Sequence, residues 1–349
     1  MKNYLILLFA LVSFTGHSQI SVGARHRGKP ADLKKETLER FKSTTTIFVL
    51  SDVINASEYD QILKDTWTVT PYELISRDDF SLINMYKGNY SFATLTGFKV
   101  VEKQFGIETP KSLHTYFDIR MYDAEEITKK LGKLSPSLSE KKLEKKAEKI
   151  FKENKKSIAK FYLFPDTDFV VTAFTKKNEE IMNSIYTEDV FFNYTSGMLK
   201  NYLQKTNALL DKEETYWMYK KDFDAEKIAS LSSQKIYVPE YITQKTNAWN
   251  ANISDRDEEE VEKLFKGYGF DYEFINKEDL DKAIASNTEF YYMRYIRINA
   301  ERFLQVVNSR TGEVIYRDYF PGLLSYNLKA KNLEYLSKII AKSKKKLAK

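Results

Sequence analysis

Two stretches of this chain, 200 residues apart, follow the same residue pattern. Residues 72–80 read YELISRDDF and residues 272–280 read YEFINKEDL, with Tyr, Glu, Ile and one Asp identical and the other pairs chemically similar. Each stretch is typical of a short strand that leads into the acidic beginning of a helix. Convergence on this common pattern is the alternative, but the same elements recur in the same order on both sides. We therefore expect two related units within one chain.

The predicted elements of the two units follow the same order. The first unit has a helix whose apolar face includes Tyr59, Ile62, Leu63 and Trp67, and strands at 45–50, 72–75, 90–101 and 115–121. The second has helices at 258–265 and 277–284, and strands at 235–238, 272–275, 290–299, 303–308 and 314–319. Strands that alternate with helices predict the α/β class with two mixed sheets, and α+β is the alternative.

The composition along the chain predicts six segments. We assign residues 1–18 to a signal peptide, 19–43 to a linker and short helix, and 44–125 to the first α/β unit. Residues 126–232 are a mainly helical connecting region, 233–321 the second unit, and 322–349 a C-terminal amphipathic helix with a basic tail. Within the connecting region, residues 140–160 hold nine Lys and four Glu. Their apolar residues follow helical spacing, which predicts one amphipathic helix with a basic face.

The N-terminal residues have the pattern of a secretory signal peptide. Lys2 provides the positive charge, residues 4–14 (YLILLFALVSF) form the apolar run, and Gly16 and Ser18 are small residues before the cleavage point. The apolar run is too short for a transmembrane span of about 20 residues. We therefore expect an exported protein, periplasmic or extracellular, with no transmembrane segment in the mature chain.

The residue composition excludes several kinds of chemistry. The chain has 349 residues with no Cys and three His, so disulfides, thiolate metal sites and a cysteine nucleophile are ruled out. The first strand is not followed by the Gly-rich turn of a phosphate site, and the His-Glu-x-x-His pattern of zinc proteases is missing. A formal net charge of +6 is too small and too scattered to indicate a nucleic-acid partner. We predict no cofactor and no metal.

Two short patterns resemble a known fold. Residues 75–80 (ISRDDF) follow the order hydrophobic, Ser, Arg, acid, acid, hydrophobic, and residues 303–315 (FLQVVNSRTGEVI) form a strand, a turn with Thr-Gly-Glu, and a strand. Both resemble the N-terminal-domain-like fold shared by TolB, the curli secretion protein CsgG and the periplasmic activators of penicillin-binding proteins. The chain as a whole resembles exported proteins of the Bacteroidota. The resemblance implies envelope scaffolding or partner binding, and it transfers no catalytic residues.

Five residues are candidates for a cleft between the two units. Asp166 and Asp168 are paired carboxylates that can act as acid and base, with helix capping as the alternative. His114 begins a predicted strand and can act as a base or have a structural role. Tyr291 and Tyr295 share one face of a Tyr-rich strand. They can form a platform that binds a carbohydrate or a peptide, and ordinary core packing is the alternative.

The sequence favours a non-catalytic role. We expect an exported interaction or scaffold protein whose partner is an envelope protein. The alternative is a ligand-binding protein or hydrolase that uses the cleft, and a third class is a polyanion binder that uses the basic helix. That helix and the lysine tail can also make peripheral contact with anionic lipids. We interpret the acidic run at residues 255–260 as a loop that leads into a helix.

Overall fold

The computed structural model describes residues 20–26, 30–104, 107–246, 253–299, 301–321 and 327–348. The predicted signal peptide at residues 1–18 lies outside this range. Within it, the chain forms two six-stranded mixed sheets, one two-stranded pair and twelve α-helices, so the protein has the predicted α/β fold with two sheet units. None of these helices combines the length and the apolar character needed to cross a lipid bilayer.

The first sheet is built from strands and helices that alternate along the chain. In chain order these are β1 Ile20–Val22, α1 Lys35–Lys42, β2 Thr45–Val49, α2 Ala56–Thr66, β3 Tyr72–Ile75, α3 Leu82–Met85, β4 Tyr90–Gln104, β5 Ile107–Tyr122, α4 Ala124–Leu131, α5 Glu140–Glu153 and β6 Lys155–Tyr162. The strand order across the sheet is β1-β6-β5-β4-β2-β3. β2 is parallel to β3 and β4 because a helix lies in each connection, and the other neighbours are antiparallel.

Three helices connect the two sheets: α6 Thr167–Ala173, α7 Asn178–Thr187 and α8 Ser196–Asp211. The last of these, α8, has eleven buried residues among its sixteen. It is buried on several sides because it packs against α2 and also against a helix of the second unit. A Cβ atom at Gly197 would lie 2.8 Å from Ile284 Cβ, so glycine permits this close approach.

The second unit follows the same plan. Its elements are β7 Asp222–Phe223, α9 Ala225–Ser230, β8 Ile236–Pro239, a 3₁₀ helix Glu240–Thr243, β9 Lys245–Thr246, β10 Ile253–Ser254, α10 Glu258–Phe265, β11 Tyr272–Ile275, α11 Lys277–Ala285, β12 Tyr291–Ile298, β13 Glu301–Asn308, β14 Val314–Pro321 and α12 Ala330–Leu347. β9 and β10 pair only with each other. The strand order of the sheet is β11-β8-β12-β13-β14-β7.

The two sheets have the same strand order and the same strand directions. In the first, β3-β2-β4-β5-β6-β1 runs from the parallel edge to the antiparallel edge, and β11-β8-β12-β13-β14-β7 matches it strand for strand. The register also matches. Thr46 pairs with Tyr72 on one side and Ser91 on the other, and Ile236 pairs with Tyr272 and Tyr291. Ser91 of β4 and Tyr291 of β12 therefore hold equivalent positions, and the 200-residue offset of the two stretches applies to these two strands as well.

Two of the differences from the expected elements change which segments form the first sheet. The expected linker at residues 19–43 contains β1, which is too short to show a periodic pattern and forms because it pairs with β6. The expected helix at 140–160 ends at Glu153, and β6 begins at Lys155. Pairing with β5 and burial of Ile158 within the sheet override the helical spacing there. The first sheet thus takes strands from outside residues 44–125.

Helix α8 contributes to the packing of both sheets. In the first sheet Phe117 stacks on Phe161 with ring centroids 4.8 Å apart, and Phe161 stacks on Tyr202 of α8 at 4.3 Å. In the second sheet the Tyr292 hydroxyl donates a hydrogen bond to Asn201 Oδ1 of α8 at 2.9 Å. The two units therefore share one interior along this helix rather than meeting through a solvated linker.

Candidate binding cleft

A cleft of about 960 Å³ lies on the second unit and is bordered by the connecting region. Its walls come from the 3₁₀ helix that follows β8, from the first residues of α11 after β11, from α10, and from Phe192. β8 and β11 are parallel, so their carboxyl ends meet at this edge of the sheet. Ligands of open α/β sheets bind in such crevices at the carboxyl ends of the strands.

The floor of the cleft is aromatic. Phe192 and Tyr241 stack with ring centroids 5.1 Å apart and an interplanar angle of 19°. Tyr272 and Phe274, which alternate along β11, point to the same side, and Tyr272 stacks on Phe265 of α10 at 4.6 Å. The four lining aromatic residues are half-buried, so part of each residue stays accessible to solvent.

The rim of the cleft carries more acidic than basic side chains. Five acids line it: Glu240, Asp255, Glu258, Glu262 and Glu278. The two basic residues that line it each donate at least one hydrogen bond, although the buried Nε of Arg256 has no partner among the described residues. Lys277 Nζ donates to both carboxylate oxygens of Asp189 at 2.7 Å, and Arg256 Nη2 donates to the Leu328 carbonyl at 3.3 Å. The cleft is therefore an aromatic floor under a predominantly acidic rim.

The acidic run at residues 255–260 forms the beginning of α10, as predicted. Asp257 is the N-cap and accepts a hydrogen bond from the Glu260 backbone N–H at 2.8 Å, and the Glu260 side chain accepts one from the Asp257 N–H. Lys245 Nζ donates to Glu260 Oε2 at 2.5 Å. Glu258 of the run and Glu262 lie one turn apart on the side of α10 that faces the cleft.

The structure places Asp166 and Asp168 beside the cleft rather than in its lining. Asp166 is the N-cap of α6 and accepts the Phe169 backbone N–H at 2.7 Å, which is the capping role that was the alternative. Burial raises its pKa, and the nearby charges of Asp168 and Asp189 act in the same direction. Asp168 lies exposed in the first turn of α6.

The other three candidates are buried elsewhere. His114 is 7% exposed on β5, stacks on Phe98 at 5.3 Å, and shares a hydrogen bond of 3.0 Å with Ser112. Tyr291 and Tyr295 are 9% and 5% exposed in the core formed with α10 and α12. The predicted division of their strand into two faces is confirmed, since Tyr292 packs into the other core cluster. The structure thus does not bring the five candidates into one site.

No single sequence motif marks the cleft, although part of its lining comes from the repeated stretch 272–280 and from the acidic run 255–260. Phe192, Tyr241 and Arg256 come from three separate segments, and only the fold brings them together. Tyr272 and Phe274 belong to the repeated stretch, but their role there is that of strand residues. In the part of the chain that the structure describes, no group of three or more His, Asp or Glu side chains is arranged to hold a metal ion.

Comparison with known proteins does not place the chain in a family. No family model matches it, and neither a curated protein nor a solved structure does so.

Proposed function

We propose that the protein is an exported, non-catalytic interaction module of the cell envelope that binds a basic segment of a partner protein in the cleft. The observation that carries this proposal is the aromatic floor under an acidic rim at the carboxyl ends of β8 and β11. The predicted signal peptide supports export, and the resemblance to envelope domains supports a scaffolding role.

The chemistry of the lining favours a cationic ligand. The faces of Tyr and Phe rings attract Lys and Arg side chains, and carboxylates form charge-assisted hydrogen bonds with them. The volume of about 960 Å³ is at the upper end of the range for ligand pockets, so it can hold several side chains of an extended peptide. A surplus of rim carboxylates also accelerates the encounter with a basic partner, and salt weakens that effect.

The hydrolase alternative requires Asp166, Asp168 or His114 to reach a common substrate. Asp166 holds the N-terminus of α6, and His114 lies between Phe98 and Ser112 on the long β4–β5 hairpin. These positions give Asp166 and His114 structural partners, and Asp168 lies exposed in the first turn of α6, which favours binding over catalysis. Steady turnover of an envelope polymer by the purified protein, abolished by a single substitution, would contradict the non-catalytic proposal.

A cross-linking pull-down from fractionated native cells tests the role of the cleft. The tagged mature protein is compared with a double variant, Glu258→Lys and Glu262→Lys, which reverses the rim charge on α10. The matched control is Glu144→Lys and Glu148→Lys, two exposed acids with the same spacing on α5. Thermal unfolding verifies that both variants fold. We expect an envelope protein to be recovered with the wild type and the control but not with the cleft variant; equal recovery with all three contradicts the proposal.

N-terminal sequencing of the protein from native cells tests export separately. Cleavage after Ser18 predicts a mature chain that begins at Gln19. A cell-associated chain that retains residues 1–18 would contradict export. The binding proposal would not be affected by that result, because the pull-down tests it separately.

A further inference from the structure

Three polar side chains form a row across the second sheet. Arg294 on β12 pairs in register with Gln305 on β13, and Gln305 pairs with Arg317 on β14. Residues directly opposite each other in neighbouring strands point to the same face, so the row spans two strand spacings, about 10 Å. The three residues are 0%, 0% and 5% exposed, in that order. The row faces α8, in the interior that the two units share.

Aromatic rings hold both guanidinium groups in place. The Arg294 guanidinium carbon lies 4.2 Å from the centre of the Tyr202 ring on α8, and that of Arg317 lies 4.1 Å from the centre of the Tyr216 ring. Arg294 Nε and Nη2 both donate to Gln305 Oε1, at 3.0 and 2.7 Å. These contacts occupy one face of each guanidinium and one edge of Arg294, and they orient the remaining N–H groups.

Among the residues that the structure describes, three nitrogen donors of the row have no hydrogen-bond partner. They are Arg294 Nη1, Gln305 Nε2 and Arg317 Nη1. Native proteins rarely leave such buried donors unsatisfied, and an arginine cannot remove the problem by losing its proton. The three donors, one from each of three adjacent strands, therefore all lack a hydrogen-bond acceptor.

The positive charge of the row is only partly balanced. Within the described residues, Arg294 has no carboxylate at ion-pair distance, and Arg317 Nη2 has Asp222 Oδ2 at 3.4 Å. Burial raises the pKa of Asp222 and lowers the pKa of Arg317. Lys205 of α8 is a further cation over the Tyr216 ring at 4.8 Å.

We propose that a small inorganic anion of halide size binds against Arg294, Gln305 and Arg317, between the second sheet and α8. Only N–H groups of the row are without partners, which suits a ligand that accepts and does not donate. The donors belong to deeply buried side chains in a packed interior, which limits the ligand to one or a few atoms. The site is separate from the aromatic cleft and does not depend on the proposed partner.

The position of the site connects the two units. Tyr202 and Tyr216, which cover the row, do not belong to the second sheet. The backbone of Tyr216 bridges to Val22 of β1, and Tyr202 stacks on Phe161 of β6. An anion in the row would therefore strengthen the attachment of the first unit to the second.

Thermal unfolding of the full mature chain tests the proposal. Sodium bromide replaces the sodium salt of a bulky organic sulfonate at constant ionic strength, so that general screening is unchanged. We expect the midpoint to rise with bromide and to saturate, as for any ligand that binds only the folded state. Arg294→Met should lose this dependence, and Arg310→Met, at an exposed arginine paired with Glu289, should keep it. Equal midpoints of the wild type in the two salts would overturn the proposal.

A diffraction measurement on the wild type remains decisive if Arg294→Met does not fold. In crystals grown in bromide, we expect an anomalous peak between the second sheet and α8, within hydrogen-bond reach of Gln305 Nε2 and of at least one of the two arginine Nη1 atoms. Ordered water without anomalous signal at these three atoms would refute the anion site.

Discussion

Asp118 and Gln305 occupy equivalent positions in the two sheets. Asp118 on β5 pairs in register with Thr94 of β4 and Lys160 of β6, as Gln305 on β13 pairs with its two arginine neighbours. Each residue is thus the buried centre of a polar row on the same face of its sheet. The two units repeat this placement of polar groups as well as their topology.

The chemistry of the two rows differs. The first has a carboxylate at its centre, and Asp118 Oδ2 lies 3.4 Å from Arg120 Nη1 and 3.2 Å from Lys155 Nζ. Burial opposes ionisation of Asp118, but the charges of Arg120, Lys155 and Lys160 outweigh it and hold the pKa below its usual value. The second row has an amide at the equivalent position and no such internal counter-charge, which is why we place the anion there.

His26, beside the first row, should make the protein sensitive to mild acid. Burial lowers its pKa to about 3, with further lowering by Lys160 and Lys155 and an opposing effect of Asp118. The unfolded chain takes up this proton near pH 6.5, so acid favours unfolding between the two values. We expect the free energy of unfolding to fall as the pH is lowered from 6.5 to 5, with a slope approaching about 1.4 kcal/mol per pH unit from this group.

The substitution His26→Phe removes that titration while keeping a ring of similar size. Denaturant unfolding at several pH values should give a flatter profile for the variant between pH 6.5 and 5. If the free energy of unfolding of the variant changes with pH in parallel with that of the wild type, His26 takes up its proton in the folded protein as readily as in the unfolded chain. That result would contradict the lowered pKa.

Gly312 should be intolerant of a side chain. Its φ of +67° lies in the left-handed region, and a Cβ atom there would lie 2.3 Å from the Asn201 carbonyl oxygen on α8. Gly312→Ala should therefore cost about 2 kcal/mol or more in the free energy of unfolding. Gly269→Ala is the control, since the nearest atom to its Cβ would be Ser337 Oγ at 3.6 Å. Equal stability of the two variants would argue against the close contact between the β13–β14 turn and α8.

Asn201 should link the two units through its side-chain amide. Its Nδ2 donates to the Ser309 carbonyl at 2.7 Å, and its Oδ1 accepts from the Tyr292 hydroxyl. Asn201→Leu keeps the volume but leaves both partners unsatisfied, which should cost about 2–4 kcal/mol. Tyr292→Phe should cost less, and the double variant should lose less than the sum of the two single variants. Additive losses measured by denaturant unfolding would mean that the two groups do not interact.

The elements most readily predicted from the sequence are those with strong local patterns. The strands at 72–75 and 272–275 and the helix at 258–265 have the predicted bounds, because apolar alternation and N-capping are local properties. β1 and β6 were missed because pairing with distant strands creates them. The three residues of β1 show no period, and β6 continues a helical spacing in sequence.

The cleft and the anion site could not be predicted for a related reason. Arg294 could be assigned to one face of its strand, but only the sheet register places Gln305 and Arg317 beside it. Likewise, Phe192 and Tyr241 become neighbours only when the connecting region packs on the second unit. Helix capping by Asp166, in contrast, depends on neighbouring residues only, and the sequence offers it as an alternative to acid–base chemistry.

Photo-cross-linking from inside the cleft tests whether a partner protein binds there. A benzoyl-phenylalanine in place of Phe192 puts the reactive group at the aromatic floor, and the same residue at Tyr335, 44% exposed on α12, is the control outside the cleft. In native cells, we expect one discrete adduct with an envelope protein from position 192 and none from position 335. Added salt should lower the yield of this adduct. No adduct, or the same adducts from both positions, would contradict a binding function for this cleft.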